Sequence, residues 1–312
     1  MHRRHLIAAT CAASFLPKAA FAADPTLRIL VGATPGGGTD LVARAAAHEL
    51  KARLNRQVTV ENRPGAAGNI AAAAVAKEPD TLLLCYASHA INPSLFASLP
   101  FDAMRDFTPL SQIAQSPLLL VVRPDLPATN FGELQALAKK RQMSIGVAGL
   151  GSVNHLAGEM MKKQGGMDLL SVPYKGTGPA LVDVMGGSLD MVLSNSASAQ
   201  ELVEGKRLKV LAVSTAKRVA AYPTAAPIAD VIPGFDYVSW YGLLGRAGMK
   251  RQEAEAVAAA ARAAVASDGM RKHLQSEGME PVGSSPAEFT RFLVSEIERW
   301  RTVVALTGAK SA

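Results

Sequence analysis

The stretch Ala33-Thr34-Pro35-Gly36-Gly37-Gly38-Thr39-Asp40 decides the fold, because it joins an aliphatic run to a helical one. The hydrophobic pattern on either side predicts a strand over Leu27–Thr34 and a helix over Asp40–Leu54. Glycines let the backbone approach a ligand, and free N–H groups at a helix start attract anions. The turn is therefore a candidate anion cradle, although a simple tight connection explains this single motif equally well.

Two further turns share this arrangement. Gly149–His155 follows a predicted strand over Met143–Ala148, and Tyr174–Pro179 follows another over Leu169–Pro173. Ligands of open α/β sheets bind outside the carboxyl ends of the strands, where all three turns lie, so together the turns favour one shared cleft. A nucleotide site is excluded, because Leu41 replaces the glycine of a dinucleotide fingerprint and no Gly-Lys-Ser/Thr follows.

Short aliphatic runs alternate with helical stretches along the chain, which predicts an α/β fold. Two proline-rich stretches, Arg123–Pro127 and Tyr222–Gly234, interrupt the alternation. We expect residues 23–124 and 227–312 to form one discontinuous lobe and residues 125–226 to form a second lobe. Two lobes joined by two crossings suit hinge closure on a ligand.

The first 22 residues are typical of a secretory signal peptide, which predicts a periplasmic protein. His2–His5 form a cationic head, Leu6–Leu16 an apolar stretch, and Ala20-Phe21-Ala22 a cleavage motif, so the mature chain is expected to begin at Ala23. The apolar stretch is far shorter than the roughly 20 residues that a bilayer span needs. The pair Arg3-Arg4 leaves general and twin-arginine export both open.

Composition excludes nucleic acid as a partner. Removal of Arg3, Arg4 and Lys18 with the signal peptide leaves 30 basic residues against 26 acidic ones, a net charge of +4. The basic residues are scattered, and aromatic residues, at 5%, do not interleave with them. Cys85 becomes the single cysteine of the mature chain, so no intramolecular disulfide is expected.

Enzymatic and metal-binding interpretations lack the necessary residues. Ser152 is flanked by Leu150 and Asn154 where a nucleophile elbow requires glycines. His155 and Glu159 share a helix face, but without cysteine partners they are better explained as a helix pair. The sequence therefore predicts no catalytic residue, no metal and no cofactor.

Seven motifs spread over residues 23–312 carry a family resemblance. They are Pro35-Gly36-Gly37-Gly38-Thr39-Asp40 with Ala43-Arg44, Val60-Glu61-Asn62-Arg63-Pro64-Gly65-Ala66-Ala67-Gly68, His89-Ala90-Ile91-Asn92-Pro93-Ser94-Leu95, Asp106-Phe107-Thr108-Pro109, Gly151-Ser152 with His155-Leu156-Ala157, Val172-Pro173-Tyr174-Lys175-Gly176, and Leu211-Ala212-Val213-Ser214. In these motifs the chain resembles the periplasmic solute receptors of tripartite tricarboxylate transporters, also called Bug-type receptors.

The resemblance implies a two-lobed, type II periplasmic-binding-protein fold, in which each lobe is a mixed sheet flanked by helices and the ligand cleft lies between the lobes. It also implies a monomer that captures a small carboxylate, such as a di- or tricarboxylate, an amino acid or an aromatic acid. Delivery to the membrane permease subunits of the transporter is expected, with no chemistry on the ligand. Nothing in the motifs separates delivery from the alternative of a co-sensor that docks on a sensor domain.

Carried over by position, the resemblance implies a ligand-binding set made mostly of backbone amides and hydroxyl groups. The expected residues are Thr34, Gly36, Gly37, Gly38, Thr39, Asp40, Ser88, His89, Gly151, Ser152, His155, Lys175, Gly176, Ser194 and Asn195. Because Lys175 is the only lysine or arginine among them, we predict that helix N-termini, rather than an arginine clamp, capture the anion. Amides recognise a carboxylate without specifying what lies beyond it, so the sequence leaves the ligand unidentified.

Overall fold

The computed structural model describes residues 25–310, so the predicted signal peptide, residues 1–22, lies outside the described residues. Strands and helices alternate along this part of the chain. In order they are β1 (Leu27–Val31), α1 (Gly38–Leu54), β2 (Val58–Asn62), α2 (Asn69–Val75), β3 (Thr81–Tyr86), α3 (Ser88–Leu95), β4 (Phe107–Val122), α4 (Phe131–Ala138), β5 (Met143–Val147), α5 (Val153–Gly165), β6 (Leu169–Pro173), α6 (Thr177–Met185), β7 (Met191–Asn195), α7 (Ser196–Glu204), β8 (Lys209–Val213), β9 (Ala226–Pro227), β10 (Val238–Arg246), α8 (Arg251–Ala266), α9 (Asp268–Ser276), β11 (Glu280–Pro281) and α10 (Pro286–Thr307). Short 3-10 helices lie at Ala66–Gly68 and Ile228–Asp230.

The first sheet has the strand order β2-β1-β3-β10-β4, with β11 beside β4. Strands β1, β2 and β3 are parallel, whereas β10 runs antiparallel to both of its neighbours. In β1, Ile29 and Val31 contact the cluster that contains α1 and α8, and Leu30 contacts the opposite cluster with α2, α3 and α10. Because both faces are covered, the central strands β1 and β3 are mostly aliphatic, whereas the edge strand β2 carries Thr59, Glu61 and Asn62.

The second sheet begins on the same strand β4. The residues up to Pro117 pair with β10, and from Leu118 onward β4 pairs with β7 on one side and β8 on the other. Strands β5 and β6 extend the sheet beyond β7, and β9 lies outside β8. The pairing partners therefore change between Pro117 and Leu118, while the lobe boundaries at residues 124 and 227 remain predictions.

Ser214 ties together two chain segments at the junction of the sheets. Its hydroxyl oxygen accepts a hydrogen bond from the Leu118 amide at 2.9 Å and donates to the carbonyl of Tyr237. Its amide donates to the Leu118 carbonyl at 2.9 Å, and its carbonyl accepts from the Tyr237 amide at 3.0 Å. Ser214 is fully buried, so water cannot replace these bonds.

Two stretches differ from what the sequence pattern predicts. Strand β4 begins at Phe107, whereas the sequence shows a continuous apolar segment only over Leu118–Val122. The register of β10 against β4 shifts beside Pro109, so β4 continues past a residue that cannot donate a ladder hydrogen bond. Helix α3 occupies Ser88–Leu95, where a loop is predicted, and it includes Pro93. No helix within residues 25–310 is long and apolar enough to span a bilayer.

Candidate ligand-binding site

The loop after β1 is exposed to solvent, and hydrogen bonds to the Asp40 side chain fix its conformation. Thr34, Gly36 and Gly37 are exposed, whereas Asp40 is buried. The Asp40 carboxylate accepts hydrogen bonds from the Gly36 amide at 3.0 Å, from Nε of Arg44 at 2.9 Å and from Nδ2 of Asn62 at 3.0 Å. Gly36 has φ +85°, a conformation that favours glycine.

The protonation of Asp40 follows from these contacts. Burial alone would raise the pKa of its carboxyl group, but the hydrogen bonds from Arg44, the Gly36 amide and Asn62 outweigh burial and hold the pKa below its usual value. The side chain is therefore an ionised acceptor whose oxygens already have protein partners. This placement makes Asp40 an organiser of the loop rather than a group that can receive an anion.

Four helices that contain or directly follow predicted site residues begin without a side-chain cap. These are α1, α3, α6 and α7, which directly follow β1, β3, β6 and β7. Their first amides therefore keep donors available for an anion. Among the described helices without predicted site residues, α4, α9 and α10 are capped by Asn130, Ser267 and Ser285, and α2 and α8 are not capped.

The start of α5 is different, because Ser152 caps it. The Ser152 hydroxyl accepts from the His155 amide at 3.2 Å and donates to the Gly149 carbonyl at 2.8 Å. Nδ1 of His155 accepts from the Gly151 amide at 3.0 Å, so the neutral ring carries its proton on Nε2. Burial lowers the pKa of His155, although the Glu159 carboxylate partly opposes this effect. Ser152, His155 and the Gly151 amide thus hold their own loop in shape.

His89 lies in the hydrophobic core and not at a loop surface. Its ring stacks parallel to Phe101, with ring centroids 6.0 Å apart, and meets the edge of Phe107 at 4.9 Å. Nε2 donates to the carbonyl of Ala103 at 2.9 Å, and burial lowers the pKa of the ring to about 4. This position does not support the expected ligand contact, because the ring is buried against Phe101 and Phe107 and its Nε2 already has a partner.

The remaining predicted residues divide into exposed and buried groups. Lys175 is exposed, and Gly176 precedes α6 with φ +106°. Ser88, the first residue of α3, is half-buried. Ser194 is fully buried and donates to the carbonyl of Asn195 at 3.1 Å, so its hydroxyl group is engaged within the strand end.

Contacts near residue 279 bring the starts of α1 and α7 to the same region. A Cβ atom added at Gly38, the first residue of α1, would lie 3.0 Å from the Tyr241 hydroxyl and 3.3 Å from Cε of Met279. A Cβ atom at Gly278 would lie 2.2 Å from the hydroxyl of Ser196, the first residue of α7. The two helix starts, one on each sheet, therefore flank Gly278 and Met279.

Tyr241, Met279 and Leu95 lie beside predicted site residues, although the sequence did not indicate them. Leu95, at the end of α3, lies within 2.2 Å of the Cβ position of Gly151, so a second contact joins the two halves. The alternation of the strand Val238–Leu244 could have placed Tyr241 on the face toward α1. Nothing in the sequence could have indicated the positions of Met279 or Leu95, because both depend on contacts between distant segments.

A small cavity of about 10 Å³ lies beneath the loop that precedes α2. Nδ2 of Asn92 donates to the carbonyl of Ala67 at 3.0 Å and to Oδ1 of Asn69 at 2.7 Å, while Oδ1 of Asn92 is buried without a protein partner. Ala66 and Ala67 adopt left-handed φ values of 45° and 52°. Such backbone strain requires close support from its surroundings, which the Asn92 side chain provides.

The chain matches known proteins over most of its length. Residues 42–308 match the family described as "Tripartite tricarboxylate transporter family receptor". Protein BugT of Bordetella pertussis is 32% identical over 292 residues, which cover 91% of this chain and 90% of BugT.

Solved structures share the fold. The R. palustris protein Rpa4515, solved with adipate, superposes with a TM-score of 0.83 and 33% identity over 91% of this chain and 98% of that chain. MatC (Rpa3494) from Rhodopseudomonas palustris, solved with bound malate, superposes with a TM-score of 0.77 and 26% identity over 89% of this chain and 98% of that chain.

The mixed sheets, the flanking helices and the helix starts at the strand ends define a two-lobed periplasmic-binding-protein fold, and the predicted fold class is confirmed. The chain belongs to the receptor family of tripartite tricarboxylate transporters, which confirms the predicted family. The two structural relatives were solved with adipate and with malate, which are both dicarboxylates.

Proposed function

We propose that this protein is a periplasmic receptor that captures a small carboxylate and delivers it to the membrane permease of a tripartite tricarboxylate transporter. The observation that supports this proposal most directly is the meeting of the uncapped starts of α1 and α7 beside Met279. The adipate and malate of the two structural relatives support the ligand class. A receptor that binds and releases its ligand unchanged needs no catalytic group.

The ligand-holding groups in this proposal are amides rather than cations. A helix N-terminus contributes roughly 0.3 to 2 kcal/mol toward binding an anion, and hydrogen bonds to an ionised carboxylate are the stronger kind. We propose the amides of Gly38 and Thr39, together with the first turns of α3, α6 and α7, as the carboxylate-binding set. Asp40, Ser152 and His155 then act by holding the loops, since their polar atoms already have partners.

Closure in this proposal moves residues 125–226 as one lobe against residues 23–124 and 227–312. The tie at Ser214 lies where β4 changes partners, which is a suitable place for a hinge. Contacts between the halves at Gly151 and at Gly278 lie on the side of the helix starts. A carboxylate bound there would add contacts to both lobes and favour the closed arrangement.

A thermal-shift screen of linear C4 to C8 dicarboxylates, malate, citrate, acidic amino acids and benzoate tests the proposed ligand class. An acid at 100 times its dissociation constant stabilises the folded protein by about 2.7 kcal/mol, which raises the melting temperature visibly. Small-angle scattering with the best acid should then show a smaller radius of gyration. A screen in which no acid raises the melting temperature contradicts the proposal.

Deletion of the gene separates delivery from sensing. A transport receptor is required for growth on the carboxylate that it binds, even when the permease genes are expressed from an inducible promoter. A co-sensor is required only for induction, so the same promoter would restore growth of the deletion strain. We expect growth to remain impaired.

A further inference from the structure

The hydroxyl group of Tyr241 has no hydrogen-bond partner among the described residues. The residue is only 4% exposed, and no hydrogen bond from its hydroxyl group to another group occurs within residues 25–310. The rest of the side chain is covered, but the hydroxyl oxygen itself reaches the solvent-accessible surface. A ligand in solution can therefore contact this oxygen, which the described residues leave without a hydrogen-bond partner.

The backbone of β10 fixes the direction of this side chain. Gly242, the next residue, packs against the ring of Phe289 on α10, where an added Cβ atom would lie 2.2 Å from the ring. Because side chains alternate along a strand, Tyr241 points to the opposite face, toward α1. The register of β10 against β4 shifts between Tyr241 and Gly242, but the unpaired residue is Ile113 of β4, so the alternation along β10 is kept.

The hydroxyl group reaches the first turn of α1. The Cβ position of Gly38 lies 3.0 Å from the Tyr241 oxygen, and the Gly38 amide is one of the donors that no side chain caps. On the other side, Cε of Met279 lies 3.3 Å from the same Cβ position. A buried phenol and an uncapped helix start therefore point into one small region with an apolar wall.

We propose that the Tyr241 hydroxyl group donates a hydrogen bond to the carboxylate that the first turn of α1 holds. This assignment rests on the proposed function and adds a side-chain donor to a site otherwise built from amides. The phenol can donate to an ionised carboxylate but supplies no positive charge. It therefore selects an oxygen acceptor at this position, while the neighbouring Met279 methyl group disfavours a second charged group there.

Tyr241→Phe tests the assignment, because it removes only the hydroxyl group. Calorimetry with adipate, or with malate if adipate gives no heat, should show an affinity about ten- to a hundredfold weaker than that of the wild type, as expected for a hydrogen bond to a charged group. The melting temperature without ligand should stay the same or rise, since no protein hydrogen bond is lost. Tyr237→Phe, a buried tyrosine in the cluster around Trp300, is the matched control and should bind normally.

Gly38→Ala supplies an independent measurement. Its new methyl group would contact the Tyr241 hydroxyl and displace it, so Gly38→Ala should weaken binding strongly in the wild type and much less in the Tyr241→Phe background. If Tyr241→Phe binds within threefold of the wild type, the assignment of Tyr241 is wrong while the receptor proposal stands. If the wild type binds no acid of the panel, the proposed function fails and this assignment fails with it.

Discussion

Asp40 shows how a buried charge can serve a binding loop without touching the ligand. Its two oxygens accept from a loop amide, a guanidinium group and a side-chain amide, so the carboxylate fixes the loop at Gly36 and the helix at Arg44 together. In the sequence the same residue is equally consistent with a ligand contact or a helix cap. Only the positions of Gly36 and Asn62 separate these roles.

Asp40→Ala should reduce the free energy of unfolding by about 1 to 3 kcal/mol, because Asn62 and the Gly36 amide lose a buried acceptor. Dicarboxylate affinity should fall as well, since the loop is no longer held. Urea unfolding and calorimetry measure the two effects. Arg44→Ala is the control, because its half-exposed ion pair is worth less than about 1 kcal/mol. Equal losses in the two variants would contradict the assigned role.

His89 should make the protein less stable in acid. The folded protein keeps the ring neutral, with a pKa of about 4, whereas the ordinary value is 6.5. Between these values the unfolded chain binds a proton that the folded chain does not, so stability falls as the pH drops from 6.5 toward 4. The maximum contribution is about 3 kcal/mol, and it is absent above pH 6.5.

Urea unfolding at a series of pH values measures this effect of His89. His89→Gln keeps a donor for the Ala103 carbonyl but cannot be protonated, so it should show a flatter acid dependence than the wild type. His48 is exposed on α1, and His48→Gln should keep the wild-type slope. A His89→Gln variant with the wild-type slope would mean that the ring is protonated in the folded state.

At the scale of one helix, we expect dicarboxylate binding to be sensitive to added side-chain volume at the start of α1 and much less sensitive to loss of the Lys175 charge. Gly37 has extended backbone angles and no atom closer than 4.0 Å to an added Cβ, so Gly37→Val is expected to fold normally while its side chain covers the free amides. It should abolish dicarboxylate binding. Lys175→Ala should weaken binding by less than about fivefold, because the exposed lysine is screened by solvent.

Calorimetry on Gly37→Val and Lys175→Ala decides between amides and a point charge. Gly269→Val is the matched control, because Gly269 lies near the start of α9, has open space around it and is remote in sequence from every predicted site residue. It should bind as the wild type does. Loss of binding in Lys175→Ala with retention in Gly37→Val would overturn the amide mechanism.

The elements themselves could largely be predicted from the sequence, because aliphatic runs and helical periods are local signals. The strand predicted over Leu169–Pro173 is confirmed to the residue. The first half of β4 was missed because Pro109 and Pro117 are read as breaks, whereas a register shift and a change of partners accommodate them. Helix α3 was missed for a similar reason, because Pro93 within it is read as a break.

The candidate site could be predicted only as far as the backbone determines it. Turns that follow parallel strands lie at the carboxyl ends of those strands, so the sequence predicts the backbone positions of Gly38 beside the first sheet and of Gly176 beside the second. Side-chain direction is set by tertiary packing, which explains why His89 and Ser194 proved to be buried and why Tyr241 was missed. A single sequence carries no record of contacts between segments as distant as Gly38 and Met279.

At the scale of the molecule, the hydrogen bonds of Ser214 should stabilise the junction between the two sheets. Ser214→Ala leaves the buried Leu118 amide without its side-chain acceptor and should cost about 1 to 3 kcal/mol of unfolding free energy. Native-state hydrogen exchange should become faster at the Leu118 and Tyr237 amides. Ser111→Ala, a fully buried serine within the first sheet, should leave exchange at those amides unchanged. Unchanged exchange in Ser214→Ala would show that the tie does not hold the junction.

The place of β10 between β3 and β4 has a consequence for the order in which the protein can assemble. The strands on both sides are synthesised long before Val238–Arg246 arrives to fill the gap. Until then β3 and the first half of β4 expose open edges, which are the usual starting points of aggregation. The second sheet needs only residues 118–227, so it can be complete while the first sheet still lacks β10. A chain that emerges from its N-terminus can therefore complete the second sheet before the first, and the open edges of β3 and β4 remain exposed until β10 is available.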